Sequence, residues 1–251
     1  ANCEVEARRM SGEMTTSLSN GFTNLMVGLY LAHLRGDELG DGVDMVVEGD
    51  DGLMVTKHSP PTEEDFKALG FAIKIEHHTC INEASFCKMM FDVDSKHNLK
   101  DPAEVMVKFG WTDSAALFGN KKTQLELLRG KAISLACELG HCPVIGSLAK
   151  NILRLTKRSR YRITDKWKNL NIVGTLKSKR YEDFSVTSGS RALFERKFNI
   201  GVDSQLALEK YFDGLEKIQP LDHPLIQSIM QPEWRVMWDK YVMSADHRMR
   251  L

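Results

Sequence analysis

The feature that most constrains this chain is a stretch of fourteen residues in which two short apolar runs, residues 43–47 and 53–56, enclose Glu48-Gly49-Asp50-Asp51-Gly52. β-Branched and apolar residues favour strands, and Gly and Asp favour tight turns, so the pattern predicts a β-hairpin with an acidic tip. Adjacent carboxylates on one turn repel each other, and a divalent cation between them relieves that repulsion. Hard oxygen donors of this kind suit magnesium or manganese better than zinc. Gly and Asp are also ordinary turn residues, so the tip does not decide the chemistry by itself.

Upstream, Met14, Leu18, Phe22, Leu25, Met26 and Leu29 recur at three- and four-residue intervals, which predicts a helix over residues 14–33 with these side chains on one face. It follows Ser11-Gly12, a pair suited to a tight turn and to N-terminal capping. The segment from Ser11 to Asn20 spells S-G-x3-T-x3-N, and its Thr16 and Asn20, four residues apart, share a helix face. Two short hydrogen-bonding side chains side by side can hold a ribose hydroxyl or a template backbone. They can equally satisfy local backbone groups at a helix start.

Beyond the hairpin, residues 62–69 read as a helix after Pro60-Pro61, and residues 71–76 alternate like a strand. Residues 86–91 and 105–109 are two further strand candidates. From residue 121 the pattern turns to helical windows at 123–139, 145–155, 191–198 and 205–218, with a polar, Ser-containing loop at 181–190. The expectation is a mixed α/β first part and a largely helical second part, divided within residues 113–120.

Charge is balanced overall, with 34 basic and 34 acidic residues, yet it is segregated along the chain. Residues 37–65 hold ten acids against Lys57, and residues 150–180 hold eleven bases against Asp165. These are either two solvated surfaces of opposite sign or a cation site and a phosphate track. Tyr161 and Trp167 lie in the basic run, where aromatic rings suit base stacking or simply anchor a core. No apolar run is long enough to span a membrane, and no signal peptide opens the chain. Five cysteines are too few for a disulfide scaffold and imply a reducing compartment. Two small groups, His77, His78, Cys80 and Cys87, then Cys137, His141 and Cys142, contain zinc-capable types, but their spacing fits no standard finger and buried thiols explain them.

The helix opening with S-G-x3-T-x3-N, followed by a Gly-Asp-Asp hairpin, resembles the palm of viral RNA-dependent RNA polymerases. Arg9-Met10-Ser11-Gly12 through Asn20 looks like motif B of that family, and Val46-Val47-Glu48-Gly49-Asp50-Asp51-Gly52-Leu53 looks like motif C. Residues 63–76 sit where motif D follows, Glu83-Ala84-Ser85-Phe86-Cys87-Lys88 resembles motif E, and the helical remainder resembles the thumb. Motif style suggests a plus-strand RNA virus of the tombusvirus-like or flavivirus-like groups. The resemblance implies a partial right-hand polymerase: an α/β (α+β) palm over residues 1–115 and a mainly α-helical thumb over 116–251. It implies a nucleotidyltransferase that copies RNA by two-metal catalysis with Mg2+ or Mn2+.

Carried over by residue, Asp50 and Asp51 would bind the metals. Thr16 and Asn20 would read the ribose 2′-hydroxyl, and Ser11 with Gly12 would form a mobile turn near the template. Gly49 shapes the tip. Lys74 is the candidate proton donor to pyrophosphate, with Lys67 and Lys88 as alternatives, and Lys88 beside Cys87 would support the primer strand. Arg154, Arg158 and Arg160 would line an RNA track. Partners implied are RNA template and primer, ribonucleoside triphosphates, the upstream fingers and motif A segment, and other viral replication proteins, at membrane-associated complexes in the host cytoplasm. The family's further metal-binding aspartate lies upstream of motif B, and the ten residues before Ser11 contain no Asp. The chain is therefore expected to be a C-terminal part that does not extend a primer alone. Rival readings are a non-catalytic RNA-binding module using the basic run, and another palm nucleotidyltransferase such as a reverse transcriptase.

Overall fold

The computed structural model describes residues 15–109, 120–161 and 182–239. Met14, Ser11, Gly12, the expected division at 113–119, Tyr181 and the basic run beyond Tyr161 lie outside them. Backbone contacts divide the chain into two compact units, Ala1–Met90 and Phe91–Leu251. The protein is mixed α/β, with small sheets and predominantly helical structure among the described residues. None of the described helices is long and apolar enough to cross a membrane.

In the first unit, helix α1 (Thr16–His33) leads through a short strand β1 (Glu38–Leu39) to β2 (Gly42–Glu48) and β3 (Asp51–Thr56). β2 and β3 pair antiparallel from Val43↔Thr56 to Glu48↔Asp51, so the hairpin forms with longer strands and a tighter turn than the sequence pattern suggested. Helix α1 packs on this hairpin. Its contact face is a stripe of small and polar residues, and Gly28 shows why. A Cβ at Gly28 would stand 2.6 Å from Met45 Sδ and 2.8 Å from Met54 Cε. The helix axis comes too close to the strands for a large side chain in that row.

The apolar face of α1 is consequently not the face that meets the hairpin. Leu18 is 75% exposed, Phe22 64% and Met26 48%, while Gly21, Gly28, Leu31 and Ala32 are buried. Periodicity locates the helix but not which face meets the sheet. Where β2 begins, Gly42 has φ +129°, and a Cβ there would lie 2.5 Å from Asp37 Oδ1. Asp37 is buried and accepts from His58 through the ring Nδ1 at 2.7 Å and the backbone N–H at 3.3 Å, which ties the chain leaving β3 to the entry of β1.

Helix α2 (Glu63–Ala68) starts with a capping box in which the Thr62 hydroxyl accepts from Asp65 N–H and the Asp65 carboxylate accepts from Thr62 N–H. Hydrogen bonds from the Thr62 backbone and hydroxyl, with Arg35 beside it, hold the Asp65 carboxyl below the usual carboxylate range. The strand expected at 71–76 does not form. Ile75 N–H donates instead to the Glu63 carboxylate at 2.9 Å, and no neighbouring strand supplies a ladder. The strand expected at 86–91 is folded in two, as β4 (Ser85–Phe86) and β5 (Met89–Asp92), paired antiparallel around Cys87-Lys88.

In the second unit a short β6 (His97–Leu99) precedes α3 (Pro102–Lys108), where a strand was expected at 105–109. Asp101 caps α3 by accepting from Ala103 N–H at 2.8 Å, and Pro102 occupies the first helical turn, a start signal that outweighs the β-branched run. Helices α4 (Lys121–Leu139), α5 (Ile145–Leu155), α6 (Ser188–Phe198) and α7 (Val202–Asp213) fall on the expected windows, with α7 ending at Gly214. Short α8 (Pro224–Ile229) and α9 (Pro232–Met237) follow. Leu139, Ile145, Leu148, Phe194, Leu208 and Phe212 form the core.

The α4–α5 connection is strained. Val144 has φ +68° and ψ −52°, and Ile145 N–H donates to Pro143 O at 2.7 Å, a γ-turn of the disfavoured hand. Gly140 and Gly146 permit it, since a Cβ on Gly146 would lie 2.1 Å from Gly140 O. The freed Val144 N–H donates to Glu209 Oε1 at 2.9 Å, and the same carboxylate takes a two-point pair from Arg191 at 2.8 and 3.0 Å. Removing Glu209 leaves a largely buried guanidinium and a strained amide without their acceptor.

Two stability measurements follow. Glu209→Ala is expected to cost about 2–4 kcal/mol, seen as a lower urea midpoint; an unchanged midpoint would show that the pair is not structural. Gly42→Ala, which places a side chain at a left-handed position against Asp37, is expected to cost about 1–3 kcal/mol, seen as a lower melting temperature.

Candidate functional site

The hairpin tip is a two-residue turn, Gly49-Asp50, closed by the cross-strand pair Glu48 and Asp51. Gly49 has φ +61° and is the one tip residue with positive φ, the pattern of a type II′ turn with Gly at its first central position. Asp50 occupies the second central position and Asp51 opens β3, both exposed. Directly opposed residues of an antiparallel pair project to the same face, so Glu48 and Asp51 carry their carboxylates together.

Three residues of α1 hold this tip from one side. The Ser17 hydroxyl donates to Glu48 Oε1 at 2.7 Å. Gly21, one turn further, lets the helix approach so closely that a Cβ there would be 3.5 Å from Gly49 N. The Asn24 side-chain amide donates to the backbone carbonyls of Asp50 and Asp51, each at 3.2 Å. The β4–β5 turn also reaches the tip. Burial pushes the Cys87 thiol up, and the charge of Asp51, a hydrogen bond with its carboxylate and the charge of Glu48 push it further. Cys87 and Lys88 both have positive φ, 51° and 62°, the double left-handed pattern of a type I′ turn made here without glycine.

The other expected residues fall as follows. Thr16 begins α1 and Asn20 lies one turn on, next to the Ser17 and Gly21 row, while Ser11 and Gly12 are outside the described residues. Lys74 donates to Glu76 Oε1 at 2.6 Å, and this hydrogen bond and charge hold its ammonium above the usual lysine range. In the second unit, the Arg154 guanidinium donates to the Asp213 carbonyl at 3.3 Å and to that of Leu215, so it closes the end of α7. Arg158, Arg160 and Tyr161 are exposed after α5.

Sequence reasoning missed Ser17 and Asn24. Their signal is the 4-3-4 spacing of the small and polar residues Ser17, Gly21, Asn24 and Gly28, which marks a helix row in close contact. The Asp50, Asp51 and Glu48 carboxylates are hard oxygen donors whose chemistry fits a magnesium-like ion. Among the described residues no group of three or more Asp, Glu, His or Cys side chains is gathered to hold a metal. His141 stacks on His97 at 3.9 Å between ring centroids, and the buried Cys142 thiol is pushed up to about 12 by desolvation.

The pairing of Lys74 gives a direct measurement. Its partner raises its pKa, so Glu76→Gln is expected to lower the Lys74 pKa toward the ordinary lysine value, followed by NMR titration of labelled lysine; an unmoved titration would show that the pair does not persist in solution.

The chain matches, over residues 1–219, the model of a family described as viral RNA dependent RNA polymerase. It is 27% identical over 231 residues to the RNA-directed RNA polymerase of Panicum mosaic virus (strain United States/Kansas 109S), a match covering 84% of this chain and 22% of that protein. The chain therefore spans less than a quarter of the relative's length. No solved structure matches it.

Proposed function

The chain belongs to the viral RNA-dependent RNA polymerase family, and we propose that it supplies the palm and thumb of such an enzyme, with the Gly49-Asp50-Asp51 tip as its part of the catalytic centre. The observation that carries this reading is the tip itself: adjacent carboxylates on a two-residue turn, held against α1 by Ser17 and Asn24. In this reading residues 1–115 form the palm and residues 116–251 the thumb. RNA template and primer, ribonucleoside triphosphates, the upstream fingers and motif A segment and other viral replication proteins are its partners, at membrane-associated complexes in the host cytoplasm.

Asp50 and Asp51 would hold divalent cations, which when bound activate the primer 3′-hydroxyl and neutralise charge on the phosphates. These two carboxylates supply part of a shell, and an aspartate from an upstream strand supplies the rest. Asn20 and Thr16 orient the incoming ribose through its 2′-hydroxyl. Lys74 delivers a proton to the departing pyrophosphate oxygen, a step for which its ammonium must leave Glu76. Lys88, on the strained turn that touches Asp51 through Cys87, steadies the primer end. Arg158, Arg160 and Tyr161 offer charge and a stacking surface to RNA.

In a chain joined to its upstream aspartate strand, Asp50→Ala is expected to lower RNA synthesis by about a hundredfold or more, the equivalent of several kcal/mol of transition-state stabilisation. The 251-residue chain alone is expected to extend no primer in magnesium or manganese. Primer extension assays with labelled ribonucleotides test both. Full synthesis by the Asp50→Ala enzyme would sink the catalytic reading and favour a non-catalytic RNA-binding role, and extension by the isolated chain would show that no further carboxylate is needed.

A further inference from the structure

We propose that Asn24 is a positioning residue for the Asp50 and Asp51 carboxylates, acting through the backbone of the turn; the inference rests on the polymerase reading of the tip. Asn24 lies outside the S-G-x3-T-x3-N segment, one helical turn beyond its last residue. Its amide NH2 carries two hydrogens and meets two carbonyls, those of Asp50 and Asp51, at 3.2 Å each. One side chain thus grips the two successive peptide groups that follow the two carboxylates.

Fixing a carbonyl fixes ψ of its residue, and with it the directions in which the Cα–Cβ bonds on either side point. The carbonyl of a second central turn residue has no place in the strand ladder, so Asp50 O has no regular β partner to hold it. Mutual repulsion between Asp50 and Asp51 favours rotating their carboxylates apart. The Asn24 clamp opposes that rotation from a helix already anchored to the opposite strand by the Ser17 to Glu48 hydrogen bond. The tip is preorganised by the helix, and less rearrangement is left for cation binding to drive.

An independent observation comes from Gly52. Unlike Gly49 it is not in the positive-φ region, so its backbone does not call for glycine. Its lack of a side chain makes room: a Cβ at Gly52 would stand 3.2 Å from Asn24 Nδ2 and 3.5 Å from Asn24 Oδ1. The second glycine of the Gly-Asp-Asp-Gly run is therefore the space in which the Asn24 amide sits. A methyl group there presses on the Asn24 amide, and on Met45 Cε at 3.2 Å, while the two carboxylates and the amide's donors stay chemically intact.

The experiment is Mn2+ binding to the chain joined to its upstream aspartate strand, read from the electron paramagnetic resonance of the free ion, for wild type, Asn24→Leu, Gly52→Ala and Asp50→Ala, with folding checked by circular dichroism. Asn24→Leu keeps the side-chain shape and removes both donors. It is expected to weaken Mn2+ binding about tenfold, the scale of two lost neutral hydrogen bonds. Gly52→Ala is expected to weaken it about threefold, and Asp50→Ala to abolish it. A lower melting temperature with unchanged Mn2+ affinity per folded Asn24→Leu chain would make the role purely structural and overturn the inference alone. If Asn24→Leu does not fold, Gly52→Ala decides the matter, and wild-type affinity in that variant overturns the inference. Mn2+ binding that survives Asp50→Ala, or no Asp50-dependent binding in wild type, would remove the tip as a cation site and take the polymerase reading of the tip and the inference with it.

Discussion

The first unit depends on how near one helix comes to one hairpin. Met45 and Met54 lie where a Cβ on Gly28 would overlap them, and Gly21 brings the helix backbone alongside Gly49. At that separation a row of large apolar side chains cannot be accommodated, and what remains is a row of glycine, serine and asparagine. Short polar side chains in such a row reach strand atoms that longer ones would overshoot. Close packing and the polar hold on the acidic tip therefore have one cause. A substitution that enlarges the row pushes the helix away and loses the hydrogen bonds of Ser17 and Asn24 together.

The second unit solves a different problem. Its chain must turn sharply between α4 and α5, and it does so with a β-branched residue in a conformation that such residues avoid. The stored strain is offset by the Glu209 carboxylate, which accepts from the strained amide and from Arg191 at once. Arg154, which sequence reading places on an RNA track, is exposed and donates to the carbonyls that end α7. Basic composition in a run does not reveal which guanidinium groups also close a helix.

Much of the architecture was legible. The hairpin around Glu48-Gly49-Asp50-Asp51, the helix up to His33 and the α4 to α7 windows follow from periodicity and turn chemistry, which are local. The failures are also instructive. Val105 to Val107 looked like a strand until Asp101-Pro102 is read as a helix start, so a local signal was present and outweighed. Residues 71–76 alternate as a strand should, but a strand exists only where another strand accepts its hydrogen bonds, and no pattern within six residues reveals that. Apolar periodicity marks one face of α1 but not which face is buried, and the side with the small residues makes the contact. At the site, the Gly-Asp-Asp run and Gly49 were readable from their chemistry, while the contacts of Asn24 and Cys87 with it join residues far apart in sequence.

The apolar face of α1 has a colloidal consequence. Leu18, Phe22, Met26 and Tyr30 climb the outer side of α1 at four-residue intervals, each about half exposed or more. Opposite charges cancel, with a formal net charge of +0 at pH 7, so long-range repulsion between copies is weak under neutral conditions. A greasy ridge on a molecule without net charge is the recipe for reversible clustering in solution. The same helix that is small and polar where it grips the acidic turn is large and apolar on its exposed back, an inversion of the usual amphipathic arrangement. Whatever shields that ridge from water gains free energy simply by covering it.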